Sequence, residues 1–357
     1  VYITSLGISN LRILENLRIE PCPGINFVVG DNGAGKTSVL EAIYLAGRGR
    51  TFRHTDAGPM IREGADSVTV VLETADSGSD RRSILGIRRG KKDVSCRLNG
   101  EDVHKRSVLA EALPVQWIGS QPQLFLGMGP DVRRRFIDMG VFHVEHSYLE
   151  ILGEFQRNLR QRNAAIRQGD ADSVRIWNRP FALSAEIMNR HRSRFVEDLM
   201  VRTMEIHASV EPGYMLSYRF KPGWNPDTTL IQQLDDKVES DLRLGYTARG
   251  PQRAELELMA DGGLAEKKLS RGQQKLLVLA INLALMDILA KNRRTAPIVL
   301  VDDLAAELDP GNRERIMTEF EERGGQVFLT KIEESALRAI DTGAKTFHVE
   351  HGTLCTA

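Results

Sequence analysis

Gly30-Asp31-Asn32-Gly33-Ala34-Gly35-Lys36-Thr37 reads as a full G-x-x-x-x-G-K-T. The largely apolar run Ile25–Val29 precedes it, and residues 37–45 follow with Leu40, Ile43 and Tyr44 at helical spacing. A strand, a glycine-rich turn and a helix therefore come in succession, which is the context this motif needs. Glycines let backbone N–H groups wrap phosphates at a helix N-terminus, where unpaired donors and the helix dipole both favour an anion. Lys36 reaches β- and γ-phosphate oxygens, and the Thr37 hydroxyl serves Mg²⁺. The nucleotide-binding set is Gly30, Asp31, Asn32, Gly33, Ala34, Gly35, Lys36, Thr37 and Ser38. A glycine-rich turn with a chance lysine is the alternative, and the strand-to-helix setting disfavours it.

A second element is the apolar run Ile298–Val301, which ends in Asp302-Asp303. A buried strand that delivers an acid at its C-terminal end holds Mg²⁺ or its water in nucleotide-binding folds, so Asp302 takes that role. Asp303 is the candidate catalytic base or water-orienting group, acting with Lys36. Lys36 and Asp302 stand 266 positions apart, so a large segment is inserted into the nucleotide fold. Residues 130–245 are the natural candidate.

Strands are expected at residues 1–6, 25–29, 67–74, 83–87 and 94–98, the last closed by Asn99-Gly100. Residues 147–168 read as a helix, with Arg157, Arg160, Arg162 and Arg167 at its polar positions. A second helix follows Gly169-Asp170, with a heptad-like seam of Trp177, Phe181, Met188, Phe195, Leu199 and Ile206. Pro180 is expected to kink or restart it. The two make an antiparallel hairpin, and a return connection carries a strand at 214–220. Beyond 245, strands at 255–259, 298–301 and 326–330 alternate with helices at 272–291, 311–323 and 333–340. This is α/β punctuation, consistent with a mostly parallel sheet.

The chain has 48 basic and 48 acidic residues, no net charge, 41% hydrophobic and 27% charged residues. That excludes a disordered, collagenous or membrane-embedded chain. Twelve of the cations are Lys and 36 are Arg, the residue favoured where phosphate is gripped by a planar fork. Three cysteines without metal-ligand spacing fit reduced thiols in the cytoplasm. The opening VYITSLGISN lacks the pattern of a signal peptide. Residues 276–290 are apolar but interrupted by Asn282 and Asp287, and read as a buried helix rather than a span.

Leu269-Ser270-Arg271-Gly272-Gln273-Gln274 precedes that helix. Alone it is a serine-capped helix start. Together with the phosphate loop, the acid strand and Ala306-Glu307-Leu308-Asp309, it resembles the head of the SMC-like, DNA-repair group of ABC-type ATPases. The match covers nearly the whole chain: Leu6-Gly7-Ile8-Ser9-Asn10-Leu11-Arg12, Leu40-Glu41-Ala42-Ile43, Gly49-Arg50-Thr51-Phe52-Arg53, Arg133-Arg134-Arg135-Phe136-Ile137-Asp138, Gln161-Arg162-Asn163-Ala164 and Gly250-Pro251-Gln252-Arg253 resemble the bacterial RecF family.

The resemblance implies an α/β ABC-type ATPase head, with a mixed-sheet lobe, a parallel-sheet lobe and an inserted α-helical arm. It would be divided as 1–128, 129–245 (the arm) and 246–357. It further implies ATP and Mg²⁺ as cofactors, and weak DNA-stimulated hydrolysis to ADP and phosphate. An ATP-dependent homodimer would form in which Ser270, Arg271, Gly272 and Gln273 reach the other copy's nucleotide, with Asp309 in the adjoining loop. Arg12 would lie near the nucleotide of its own subunit. Partners by the same resemblance are duplex, gapped or junction DNA, RecR, RecO and RecA, in the cytoplasm and without a membrane. Two other readings stay open: an ATP-binding DNA clamp with negligible hydrolysis, and a transporter's nucleotide-binding subunit, which lacks the RecF-like segments.

The sequence departs from the pattern at several positions. Asp303 stands where many ABC ATPases carry Glu, a shorter reach that implies slow turnover, and Lys331 follows Thr330 where transporters have a histidine. Gln252 replaces an expected histidine, and Ala306 a serine. For the Mg²⁺-sensing glutamine, both Gln121 and Gln116 follow the right strand, with Gln121 preferred.

Residues 81–106 carry nine cations, among them Arg81, Arg82, Arg88, Arg89, Lys91 and Lys92, against three acids, a local surplus of +6. A solvated hairpin and a phosphate-contacting surface are both compatible with this, and the family resemblance favours DNA. Without interleaved aromatics, duplex backbone is the better target.

Overall fold

Alternating apolar residues build the first strands, and one irregularity in the alternation is instructive. In β1 (Tyr2–Leu11) the buried positions shift from Ile3 to Leu6 and Ile8, an odd step for a two-residue period. The register slips between Ile3 and Ser5, and this bulge keeps all three side chains on one face. The computed structural model describes residues 1–53, 60–76, 78–119, 124–145, 147–293, 296–303, 308–331 and 343–355.

The elements that follow are β2 (Leu14–Ile19), β3 (Ile25–Val29), α1 (Lys36–Arg48), β4 (Ser67–Asp76), β5 (Ser79–Gly90), β6 (Val94–Leu98), β7 (Glu101–Asp102), α2 (Arg106–Ala112), β8 (Val115–Ile118) and α3 (Leu124–Gly127). The helical region holds α4 (Pro130–Val144), α5 (Tyr148–Gln168), α6 (Ala171–Val210), β9 (Leu216–Lys221), α7 (Leu230–Asp236) and α8 (Val238–Leu244). Last come β10 (Glu255–Ala260), β11 (Gly263–Leu264), α9 (Ala265–Lys268), α10 (Arg271–Arg293), β12 (Ile298–Val301), α11 (Pro310–Arg323), β13 (Val327–Lys331), β14 (Lys345–Glu350) and β15 (Thr353–Cys355).

The chain divides into two compact units, one of Val1–Pro122 with Leu289–Ala357 and one of Gln123–Ile288. The second unit therefore runs on to Ile288, past the arm boundary at 245 expected from the sequence.

The first unit contains two six-stranded sheets. One is antiparallel, ordered β2-β1-β4-β5-β6-β7, and it buries Val68, Val70, Leu72, Leu85 and Ile87 on its inner face. The other is ordered β15-β14-β3-β13-β12-β8, with β14, β3, β13, β12 and β8 all parallel. Every residue of β3 and β12 is buried, as expected for parallel strands covered on both faces. Helix α1 packs into the same core through Val39, Leu40 and Ile43. Gln326, just before β13, connects this region to the antiparallel sheet. Its Oε1 accepts from the Ile3 N–H at 2.7 Å, and its Nε2 donates to the carbonyls of Ile3 and Cys22, each at 2.8 Å.

In the second unit α5 and α6 form the expected hairpin, with Phe181, Met188, Phe195, Leu199 and Ile206 buried along the seam and Trp177 half-buried. Three expectations are corrected. Pro180 does not restart the helix, because α6 runs unbroken for 40 residues. The carbonyl deprived of its partner belongs to Ile176, which is 70% exposed, so water can satisfy it. Arg162 is not at a solvated position but fully buried. Its Nη1 donates to Asp241 Oδ2 and Thr247 Oγ1, both at 2.8 Å, and its Nε to Asn178 Oδ1 at 2.7 Å. Desolvation lowers its pKa, while Asp241 opposes that shift. Finally, β10 does not join the parallel sheet. It lies antiparallel between β9 and β11, turning at Asp261-Gly262, both with positive φ, into a tight hairpin.

Helix α10 is long and apolar enough to cross a membrane by composition, yet 72% of that stretch is buried within the protein. The expected helix at 333–340 lies outside the described residues.

Two stability outcomes follow. Gln326→Ala strips two buried Ile3 groups of their partner and is expected to cost about 2–3 kcal/mol in denaturant unfolding. Arg162→Leu leaves the Asp241 carboxylate buried without its main partner and is expected to cost about 3–5 kcal/mol. Arg162→Leu with Asp241→Leu should recover most of that loss, and a double variant as unstable as the single one would contradict the assignment.

Candidate nucleotide site

The phosphate loop is shaped by what lies behind it. Gly30 has φ +150° and packs so closely on β14 that a Cβ there would sit 2.1 Å from the Val349 carbonyl oxygen. Gly35, at φ +113°, caps α1, and a Cβ there would meet Leu14 at 2.8 Å. The backbone conformation disfavours any other residue at both positions, and at Gly30 the contact with backbone leaves no space either. Lys36 opens α1 and folds its Nζ back onto the carbonyls of Gly30 at 2.7 Å and Asp31 at 2.9 Å. Desolvation lowers the Lys36 pKa, opposed by the charges of Asp302, Asp303 and Asp31.

Parallel pairing of β12 with β13 brings the two halves of the motif set together. Asp302 Oδ1 accepts from Thr37 Oγ1 at 3.0 Å and from Thr330 Oγ1 at 2.7 Å. Thr330 Oγ1 also accepts from the Asp303 N–H at 2.9 Å, so one hydroxyl near the end of β13 holds the Asp302 carboxylate and the Asp303 backbone together. Asp303 takes a left-handed backbone, φ +52°.

A cavity of about 340 Å³ opens above these groups, within the 300–1,000 Å³ typical of small-ligand sites. Of the expected nucleotide-binding set, Asn32, Gly33, Gly35, Lys36, Thr37, Ser38 and Arg12 line it, as do Asp302 and Asp303. Gly30, Asp31 and Ala34 do not line it, although the first two receive Lys36. Ile13, Arg53 and Thr330 also line the cavity. In the sequence, Arg53 and Thr330 stand out only as members of longer segments.

Gln116 is buried in β8, beside Val299, and does not line the cavity, and Gln121 lies outside the described residues. Among the described residues no group of three or more His, Cys, Asp or Glu could hold a metal by themselves.

In the second unit Ser270 and Gln273 form a reciprocal cap at the start of α10. Ser270 Oγ accepts from the Gln273 N–H at 3.3 Å, and Gln273 Oε1 accepts from the Ser270 N–H at 3.1 Å. Ser270 and Arg271 are exposed, and Gly272 and Gln273 half-exposed. Gln252, the replacement for the expected histidine, donates to the carbonyls of Thr247 at 3.1 Å and Arg249 at 2.9 Å, which is a structural use in a tight loop. In the first unit Asp309 caps α11, and the N–H of Asn312 holds its carboxyl below the ordinary range. Ala306 and Glu307 lie outside the described residues.

The basic hairpin separates by face. Arg82 and Arg88 alternate with the buried Leu85 and Ile87, which puts them on the outer face of β5, and Lys91 and Lys92 are exposed at its turn. Arg81 is exposed near the start of β5. Arg89 turns inward, half-buried, with Nη1 3.5 Å from the Gly49 carbonyl. Arg97 is ion-paired with Asp102 at 2.9 Å.

The family described as "RecF/RecN/SMC N terminal domain" matches residues 2–354. A DNA replication and repair protein RecF from Edwardsiella ictaluri is 37% identical over 355 residues, covering 99% of each chain. The protein of the same name from Pseudomonas aeruginosa is 35% identical, covering 98% of this chain and 96% of its own. In fold, a solved structure of "the recombination mediator protein RecF-ATP in RecFOR pathway" superposes with a TM-score of 0.86 at 20% identity, covering 100% of this chain and 97% of that one. An Smc head bound to the C-winged helix domain of ScpA gives 0.62 at 19% identity, covering 100% and 98%. With strand-loop-helix, acid strand and helical hairpin all in place, and identity above a third along nearly its whole length, the chain belongs to the RecF family of DNA replication and repair proteins.

Proposed function

We propose that this protein is an ATP-dependent DNA-binding ATPase of recombinational repair. The observation that carries the reading is the bonded series Thr37–Asp302–Thr330–Asp303 beside Lys36, all at one cavity. Lys36 pairs with β- and γ-phosphate oxygens, and the loop N–H groups bind the rest of the polyphosphate. Thr37 and Asp302 are the residues to hold Mg²⁺: a hydroxyl and a carboxylate already in contact are the hard oxygen donors this ion takes, with phosphate and water completing its shell. When bound, the ion neutralises charge on the β- and γ-oxygens. Asp303 orients the attacking water and accepts its proton on the carboxylate. Its short side chain suits slow turnover.

ATP would bring two copies together, with Ser270, Arg271, Gly272 and Gln273 of each reaching the other's nucleotide and Asp309 flanking the junction. The dimer then engages duplex, gapped or junction DNA through Arg81, Arg82, Arg88, Lys91 and Lys92. RecR and RecO act with it to place RecA on single strands, in the cytoplasm. The ATPase head is proposed to be built from residues 1–128 and 246–357, with 129–245 as the arm. The reading as a clamp with negligible hydrolysis is favoured by the same short reach of Asp303. Gln121 remains the proposed Mg²⁺-sensing glutamine.

Asp303→Asn should keep ATP affinity while lowering phosphate release about 10²–10⁴-fold, as loss of a general base does. If repair in cells survives that loss, the clamp reading wins. Binding to junction, duplex and single-stranded DNA should strengthen with ATP in the intact protein but not in Lys36→Ala or Ser270→Arg. ATP-independent binding that is equal in all three would overturn the gated dimer. Lys91→Ala and Lys92→Ala should each flatten the slope of log affinity against log salt by about 1, and an unchanged slope would remove them from the DNA surface.

A further inference from the structure

Glu41 lies on α1, one turn beyond Thr37, with its side chain fully buried, and its carboxylate is where two cavity-lining arginines converge. Arg12 grips it with a two-point fork, Nε to Oε2 at 2.6 Å and Nη2 to Oε1 at 3.0 Å. Thr51 Oγ1 donates to Oε1, and the same hydroxyl accepts from the Arg53 N–H at 3.0 Å. Arg53 Nε stands 4.0 Å from Oε2. The backbone around both arginines is fixed as well. Arg12 has φ +53°, and its N–H donates to the Met60 carbonyl at 2.9 Å. Arg53 follows Phe52, which stacks on Trp117 with ring centroids 3.7 Å apart.

Arg12 and Arg53 line the cavity that Lys36 and Thr37 line, whereas Glu41 lies behind them. Two guanidinium groups and an ammonium converging on one cavity repel one another. A single carboxylate on the far side offsets that repulsion, and the planar fork leaves Arg12 one orientation. Because Glu41 and Thr37 share one helix, the carboxylate sets the arginines in register with the phosphate loop itself.

We propose that Glu41 is a positioning residue for nucleotide recognition: without touching the nucleotide, it presents Arg12 and Arg53 as a preformed clamp for the polyphosphate. This rests on the nucleotide reading given above.

The test is titration of the full-length protein with a fluorescent ATP analogue, competed with inorganic tripolyphosphate, alongside thermal unfolding. Glu41→Gln, which removes the charge at nearly constant shape, is expected to weaken both ligands about tenfold. Glu41→Asp should recover part of the loss. In a background of Arg12→Lys with Arg53→Lys, Glu41→Gln should add little further, because its effect passes through those two side chains. A structural role would instead add in full in that background, and that result, or wild-type affinity in Glu41→Gln, overturns the proposal. Should Glu41→Gln not fold, Arg12→Lys alone, which keeps the charge but loses the fork, is expected to show a comparable loss, and wild-type affinity there is equally fatal. Failure of the wild-type protein to bind ATP, or full binding by Lys36→Ala, would instead overturn the nucleotide reading itself.

Discussion

The hydrogen bonds of Asp302 to Thr37 and Thr330 are the constraint on which the site depends. Thr37 lies in the first turn of a helix, Asp302 directly follows one strand and Thr330 lies near the end of its neighbour, so the contacts exist only when β12 and β13 pair in parallel and in one register. A slip of one residue would turn Asp302 to the opposite face of the sheet. The buried runs Ile298–Val301 and Val327–Leu329 enforce the register, since a slip would also move polar groups into the core. Apolar packing in the sheet thus fixes the geometry of the candidate site at the C-terminal ends of its strands.

Much of this was legible in the sequence, because the relevant signals are local. The phosphate loop, the acid strand and the serine-capped helix each declare themselves within about eight residues. Helix α1 and strands β3 and β12 fall where periodicity puts them. What could not be read depended on pairing across the chain. The role of Thr330 follows from the adjacency of β13 and β12, and that of Arg53 from a contact with Glu41; neither has a local mark. Arg162 fits the polar side of an amphipathic helix until Asp241 and Thr247, roughly 80 positions away, arrive to bury it. The strand at β10 was foreseen but assigned to the wrong sheet, since its partner β9 lies across two short helices that have weak periodicity.

The arm is held by polar as well as apolar contacts. Its hydrophobic seam resembles a two-helix coiled coil, and such seams tolerate sliding. Arg162 with Asn178 and Asp241, and Asn158 with Ser184 and the Pro180 carbonyl, supply directional contacts between α5, α6 and α8 that sliding would break. These pairs define register along the hairpin more than they add stability.

The parallel sheet also has an implication for how the chain is made. Within the first 122 residues, β3 and β8 have no partner in that sheet: β3 waits for β13 and β14, and β8 for β12. Gln326, which ties down Ile3, is likewise more than 300 positions away. The unpaired edges of these largely apolar strands therefore stay open on the ribosome while Gln123–Ile288 is synthesised. That second unit is one continuous stretch, complete in the chain before β12, β13 and β14 are made. The candidate nucleotide site is consequently among the last features of the protein to come into existence, and an unfinished chain cannot carry one.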